Sequence, residues 1–286
     1  KNKYFSEIEF QIASQCNKAL YLHYTQAQTK TPENRIFEKL KEGWQSQIKN
    51  QFHKKFSDGV DLIRKPEEYP IIDVFSTNKK TIKAIEDGER VVKDAVFCDS
   101  NFISRIDVLT QLDNNLDIHL FSRATMNRHI LPLEFAYKCF IIEKSGYKFD
   151  RCFIYFIDNT YVKNGPIDPH KLFTPAIDFT KEIRERFSLI YRIIKKSHKI
   201  LCTDEEPFVH IGPHCDNCSF YNYCSKHIPK DSFFFLRRQV RSRDRWQYYE
   251  SGNLHMKDII YQLQRKSNFF RKSNAIQAVI ENKEII

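Results

Sequence analysis

The chain has 286 residues, 8 cysteines and a formal charge of +10, which is length enough for one large domain or two smaller ones with a substantial core. It contains no apolar run of the roughly 18 residues that a membrane helix needs, and its start, KNKYFSEIEF, lacks the charged-then-apolar pattern of a signal peptide. A membrane protein and a secreted one are therefore not expected, a cytoplasmic or organellar-matrix protein is, and the positive charge favours an anionic partner, nucleic acid first.

Ser6 followed by Glu9 is a capping-box signature, and Ile8, Ile12, Cys16 and Leu20 repeat at i+4, so the spacing predicts a first helix with Cys16 on its inward face. A second helix opens at Thr31-Pro32, carries Ile36, Leu40, Trp44, Ile48, Phe52 and Phe56 on one stripe, and ends near Asp58-Gly59. Two apolar runs, Phe102 to Leu109 and Leu116 to Phe121, flank the turn-prone Asp113-Asn114-Asn115 and read as a hairpin. A helical pattern from Leu133 to Lys144, stopped by Gly146, precedes the strand-like run Cys152 to Ile157. Another amphipathic helix is predicted from Thr180 to Lys196, with Ile183, Phe187, Ile190 and Ile194 on its apolar side. Beyond Pro207 come a cysteine loop, a basic and aromatic stretch from Phe233 to Tyr249, and a last helical pattern from Lys266 to Asn282. No internal repeat or low-complexity linker is visible, so the chain reads as one compact α/β domain over residues 1–230 with a helical extension over 231–286.

Cys215, Cys218 and Cys224 form a C-x2-C-x5-C cluster within HCDNCSFYNYC. Thiolates are the soft ligands that iron-sulfur clusters and structural zinc both accept. A fourth ligand is Cys16 in the cluster reading or His227 in the zinc reading, with His214 a weaker substitute. Spacing alone leaves cluster and zinc open, with a site that holds no metal as the third alternative. Cys98, Cys139 and Cys152 sit in apolar runs and are expected to be buried thiols without a metal role, and Cys202 is given no function.

The stretches CNKALYLHY, TIKAIEDGERVVKDAVF, FISRIDVL, EKSGYKFDRCFIYFIDNTYVKNG and IGPHCDNCSFYNYCSKHIP together resemble RecB-type members of the PD-(D/E)XK nuclease superfamily that carry a four-cysteine 4Fe-4S cluster, such as the CRISPR-adaptation nucleases. The likeness is greater to the RecB-like N-terminal half of bacterial proteins carrying domain of unknown function 2779. The resemblance implies a restriction-endonuclease-like α/β core with helical elements at both ends, and cluster ligands at Cys16, Cys215, Cys218 and Cys224. It also implies that relatives continue, past AIQAVIENKEII, into a DEDD-type exonuclease-like domain.

In that family an aspartate on one hairpin strand and an acid on the next hold magnesium, and a lysine two positions on helps activate water. Asp107, in SRIDVL, matches the aspartate. The second strand reads LDIHLFSRAT, so Leu120 stands for the acid and Ser122 for the lysine, while Arg123 cannot accept a proton and His119 falls on the opposite strand face. The glutamine expected on the next helix is missing, Lys138 standing near its place, and Asn50 stands where an upstream acid belongs. A degenerate centre that does not use magnesium is the expectation, with Asp107 as the matching remnant. Asp107 then pairs structurally with Arg105 or Arg123, and Glu134 is a helix N-terminal carboxylate rather than a ligand. Arg237, Arg238, Arg241, Arg243 and Arg245 offer phosphate-seeking forks and Trp246, Tyr248 and Tyr249 offer stacking faces. The alternative for this stretch is that its aromatics pack the extension onto the domain. The resulting reading is a nuclease-like iron-sulfur protein that binds nucleic acid or serves a structural role. Its rivals are an active metal-dependent nuclease with a rearranged site built on Asp107, and an assembly scaffold in a large complex.

Overall fold

A computed structural model describes residues 4–25, 46–56, 58–62, 74–112, 115–122, 133–216, 218–229, 232, 234, 241–255 and 257. The chain divides into two compact units, Lys1–Pro207 and Phe208–Ile286. The cysteine loop, grouped above with residues 1–230, thus lies in the second unit. The expected helix from Lys266 and the residues Arg237 and Arg238 lie outside the described residues.

The first unit is mixed α/β. Its capping box forms as expected, with the Ser6 hydroxyl accepting from the Ile8 N–H and the Glu9 carboxylate accepting from the Ser6 N–H at 2.8 Å. The helix it starts, α1 (Glu7–Gln15), stops at Cys16, whose extended backbone (φ −163°, ψ 126°) caps it before α2 (Asn17–Thr25) begins. Cys16 is therefore a half-buried residue at a helix break, not a residue inside one continuous helix. Residues 46–53 form α3, whose stripe Ile48 and Phe52 is buried with Phe56 packed against it.

Among the described residues, six strands follow one another across a single sheet: β1 (Val60–Asp61), β2 (Val91–Asp99), β3 (Phe102–Leu112), β4 (Asn115–Ser122), β5 (Arg151–Phe156) and β6 (Ile177–Asp178). β2, β3 and β4 form an antiparallel meander, β1 and β5 join it in parallel, and β6 is antiparallel to β5. The expected hairpin is β3–β4. The helix α4 (Val74–Glu86) and the strand β2 were not anticipated. Between β4 and β5 runs α5 (Leu133–Lys144), followed by Gly146 at φ +94°, a conformation that glycine reaches without steric cost. After β5 come the single turn α6 (Pro169–Leu172), then α7 (Thr180–Glu185) and α8 (Phe187–Leu201), where one continuous helix was predicted.

The main core joins the sheet to α1, α5, α7 and α8. Every residue of α5 from Phe135 to Ile142 is buried, which is why its pattern is apolar on all sides. Tyr137 anchors this layer: Phe10 stacks on its ring at 4.6 Å, and its hydroxyl donates to the carbonyls of Phe5 (2.7 Å) and Ile103 (3.1 Å). A second, smaller core uses α3: Phe52 meets Phe121, Tyr155 and Phe173 with ring centroids 5.0–5.2 Å apart. Each such fully buried ring contributes roughly 1.5–3 kcal/mol. No described helix is long and apolar enough to cross a membrane.

In the second unit a 3-10 turn (Pro213–Cys215) leads to α9 (Tyr221–Cys224) and later α10 (Ser242–Glu250).

Candidate functional site

The chemistry-bearing residues of the first unit gather where α3 crosses β2 and β3. Asp94 lies in mid-strand with φ +59°, a left-handed conformation that aspartate tolerates better than most residues. The kink reverses the strand's alternation, so that Val92 and Ala95, three residues apart, both reach the main core. It also aims the Asp94 carboxylate at α3, where Lys49 Nζ makes an ion pair with it and His53 Nε2 lies 3.8 Å away. Asp61, on the neighbouring strand β1, completes a set of His53, Asp61 and Asp94 ligand atoms that all lie within 4.8 Å of one another.

Burial dominates the electrostatics. Asp94 is 4% exposed; burial raises its pKa, and the nearby Lys49 and His53 only partly offset that. Burial likewise lowers the pKa of His53 against the opposing pull of Asp94, which favours the neutral imidazole, and its Nε2 contacts the Asp107 carbonyl at 3.1 Å. A cavity of about 840 Å³ opens beside these groups, lined among others by Gln47, Asn50, His53, Lys54, Asp61 and Lys93. Asn50 thus reaches the cavity, while the group that turns to the strands is His53, one helical turn on. His53, Asp61, Asp94 and Lys49 all escaped the sequence reading. The available signal was a lone acid, Asp94, inside the apolar run VVKDAVF.

The positions assigned by resemblance behave differently. Asp107 is half-buried on β3, and its carboxylate accepts the Phe121 N–H at 3.3 Å. Among the described residues its carboxylate acts electrostatically on Lys138, and Arg123, one of the two expected partners, lies outside the described residues. That buried ammonium keeps a raised pKa despite desolvation, because Asp107, Glu7 and Glu134 surround it. Leu120 is fully buried in the main core and Ser122 is buried too. Leu120 has no ligand atom, and the buried Ser122 hydroxyl is neither the acid nor the amine that the resembled centre uses. His119 faces the opposite side, as expected from its place on the strand. It is bonded to Thr110 Oγ1 (2.9 Å) and Tyr155 OH (3.1 Å) and stacked on Phe153, and burial pushes its pKa down to about 4.

Among the other thiols, Cys139 and Cys152 are buried in the core with sulfurs 3.6 Å apart, Cys98 is half-buried, and Cys202 is exposed.

In the second unit the three cysteines lie on consecutive turns. The Cys215 N–H donates to the Gly212 carbonyl (2.8 Å), Cys218 N–H to Cys215 (3.1 Å) and Cys224 N–H to Phe220 (3.1 Å). Cys215 is buried and the other two half-buried. His227, the zinc-reading ligand, is exposed, with Nε2 3.1 Å from the Tyr249 hydroxyl. His214 is exposed on the 3-10 turn. Cys16 belongs to the first unit, where Lys18 and Tyr21, just after it, bind Glu206 (2.6 Å) and the Asp204 carbonyl (2.7 Å).

The basic-aromatic stretch is split by burial. Arg241 and Arg243 are exposed. Arg245 and Trp246 are 4% and 2% exposed, and Tyr248 is buried with them. Trp246 packs against Phe234 at 5.0 Å, and Arg245 donates to Asp216 at 3.1 Å. For these residues the packing alternative describes the fold better than a stacking surface does. No protein-family model and no curated protein matches the chain.

Proposed function

We propose that the protein is a RecB-like, nuclease-type module whose cleavage centre is degenerate, that its cysteines hold a 4Fe-4S cluster, and that it binds DNA or RNA without cutting it. Leu120 carries this reading. A side chain sealed in the core, where the resemblance calls for a metal-binding acid, cannot neutralise the charge that develops at phosphorus during hydrolysis. The antiparallel β2–β3–β4 meander, followed by α5 and a parallel β5, supports the fold half of the proposal. The C-x2-C-x5-C spacing of Cys215, Cys218 and Cys224 on successive backbone turns supports the cluster. When bound, the cluster supplies structural cross-linking and a site of electron storage; the thiols supply its ligands.

A second reading, a metal-dependent nuclease with a rearranged centre, is favoured by one observation: the His53, Asp61 and Asp94 donors lie within 4.8 Å of one another. Against it, Lys49 already neutralises Asp94. The test is fluorescence anisotropy of labelled single- and double-stranded oligonucleotides over a salt series, with product gels in Mg2+ and Mn2+. Salt-sensitive binding without cleavage is expected. Cleavage abolished by Asp94→Asn establishes the second reading, and absence of binding to any nucleic acid overturns both and leaves the scaffold role.

A further inference from the structure

A buried guanidinium must find acceptors for its donors, because each unmet donor forfeits a hydrogen bond that water would have supplied. Arg245 is 4% exposed, and only part of its fork is satisfied. One terminal nitrogen, Nη2, donates to Asp216 Oδ1, while Nε and Nη1 are buried with no hydrogen-bond partner among the described residues. The next residue, Trp246, is 2% exposed and its indole N–H is likewise buried and unmet. Three donors on one turn of a helix, unmet among the described residues, point to an acceptor outside those residues.

Their position identifies the acceptor's chemistry. Helix α10 packs on the 3-10 turn that ends in Cys215. Asp216, which anchors Arg245, directly follows that cysteine and also accepts from Ser242 at the start of α10. A metal held by several thiolates is an anion with sulfur acceptors, and burying it calls for N–H donors and a compensating positive charge.

We propose that Arg245 and Trp246 are positioning residues of the cysteine metal site, their unmet N–H groups donating to the metal-bound sulfurs and the Arg245 charge offsetting that of the thiolates. This rests on the cluster reading above, and it removes the two residues from the nucleic-acid interface. Hydrogen bonds and positive charge favour the reduced, more negative state of a cluster, so losing them moves the reduction potential downward.

The experiment uses the full chain, purified and reconstituted anaerobically, with iron and sulfide content, visible spectrum and midpoint potential measured for wild type, Arg245→Met, Arg245→Lys and Trp246→Phe. Trp246→Phe keeps the ring and deletes only the N–H, so it remains informative if Arg245→Met fails to fold. The expected result is a more negative potential in Arg245→Met and Trp246→Phe, partial recovery in Arg245→Lys, and cluster loss to a chelator accelerated about tenfold in Arg245→Met, in line with the usual cost of losing such supporting bonds. Full loading with unchanged potential and chelator resistance in both Arg245→Met and Trp246→Phe overturns this inference while leaving the cluster in place. A wild-type chain that binds no iron and sulfide overturns the cluster reading itself.

Discussion

His119 offers a quantitative test of the first unit. Its imidazole is held neutral by burial, with a pKa near 4 in the folded chain against 6.5 for the free side chain. The unfolded chain therefore binds a proton that the folded one refuses over this interval, and stability from this group falls as pH drops from 6.5 towards 4. At about 1.36 kcal/mol per pH unit, the loss is about 2 kcal/mol at pH 5 and about 3 kcal/mol once both forms are past their midpoints. Replacing His119 with Phe keeps the ring against Phe153 and Phe56 but removes the titration. It also orphans Thr110 Oγ1 and Tyr155 OH, costing about 1–3 kcal/mol at neutral pH. Urea unfolding followed by far-UV circular dichroism at pH 7 and pH 5 should give a wild-type stability that drops about 2 kcal/mol more than the variant's. Parallel losses in the two proteins would refute the claim that His119 is neutral when folded.

Three further outcomes follow from burial and pairing. Leu120→Glu, which restores the acid of the resembled motif, is expected to destabilise by more than about 3 kcal/mol rather than create an enzyme, because the new carboxylate enters the main core; a stable variant with magnesium-dependent cleavage sinks this view. Lys49→Met leaves Asp94 buried without its ammonium and should cost about 3–5 kcal/mol in thermal or urea unfolding, whereas a loss below about 1 kcal/mol would show that the pair is solvated. Ser6→Ala removes the capping box of α1 and should cost about 1 kcal/mol, and full-length stability unchanged by it would mean that the first turn frays in the folded protein.

Legibility of the sequence tracked how regular the local physics is. The capping box at Ser6, the β3–β4 hairpin and α5 were readable because cap chemistry, a turn between two apolar runs and a terminating glycine each act over a few residues. β2 was not readable because the left-handed Asp94 reverses its period-2 alternation. α4 was passed over because its buried face relies on Thr77, Thr81 and Ala84 rather than large apolar side chains. The Thr81 hydroxyl donates back to the Thr77 carbonyl (3.0 Å) and accepts the Val96 N–H of β2 (2.9 Å). The cysteine spacing raised the expectation of a metal site from a single short stretch. The buried charges around Lys49 and Lys138, by contrast, are assembled from separate elements, and no local window contains them. Arg245 and Trp246 looked like a nucleic-acid surface because composition records which residues are present, not which face of α10 is covered.

The order of the strands has a consequence for how the first unit is made. Because β1 to β6 stand side by side in the order in which they are synthesised, each new strand meets an edge that already exists, and loop-closure distances along the chain stay short. The sheet can grow from one side as the chain leaves the ribosome. Phe5 is the late exception: its bridge to Phe102 waits for nearly a hundred residues and then locks the N-terminus, and Cys16 soon after it, onto a sheet that is still gaining strands.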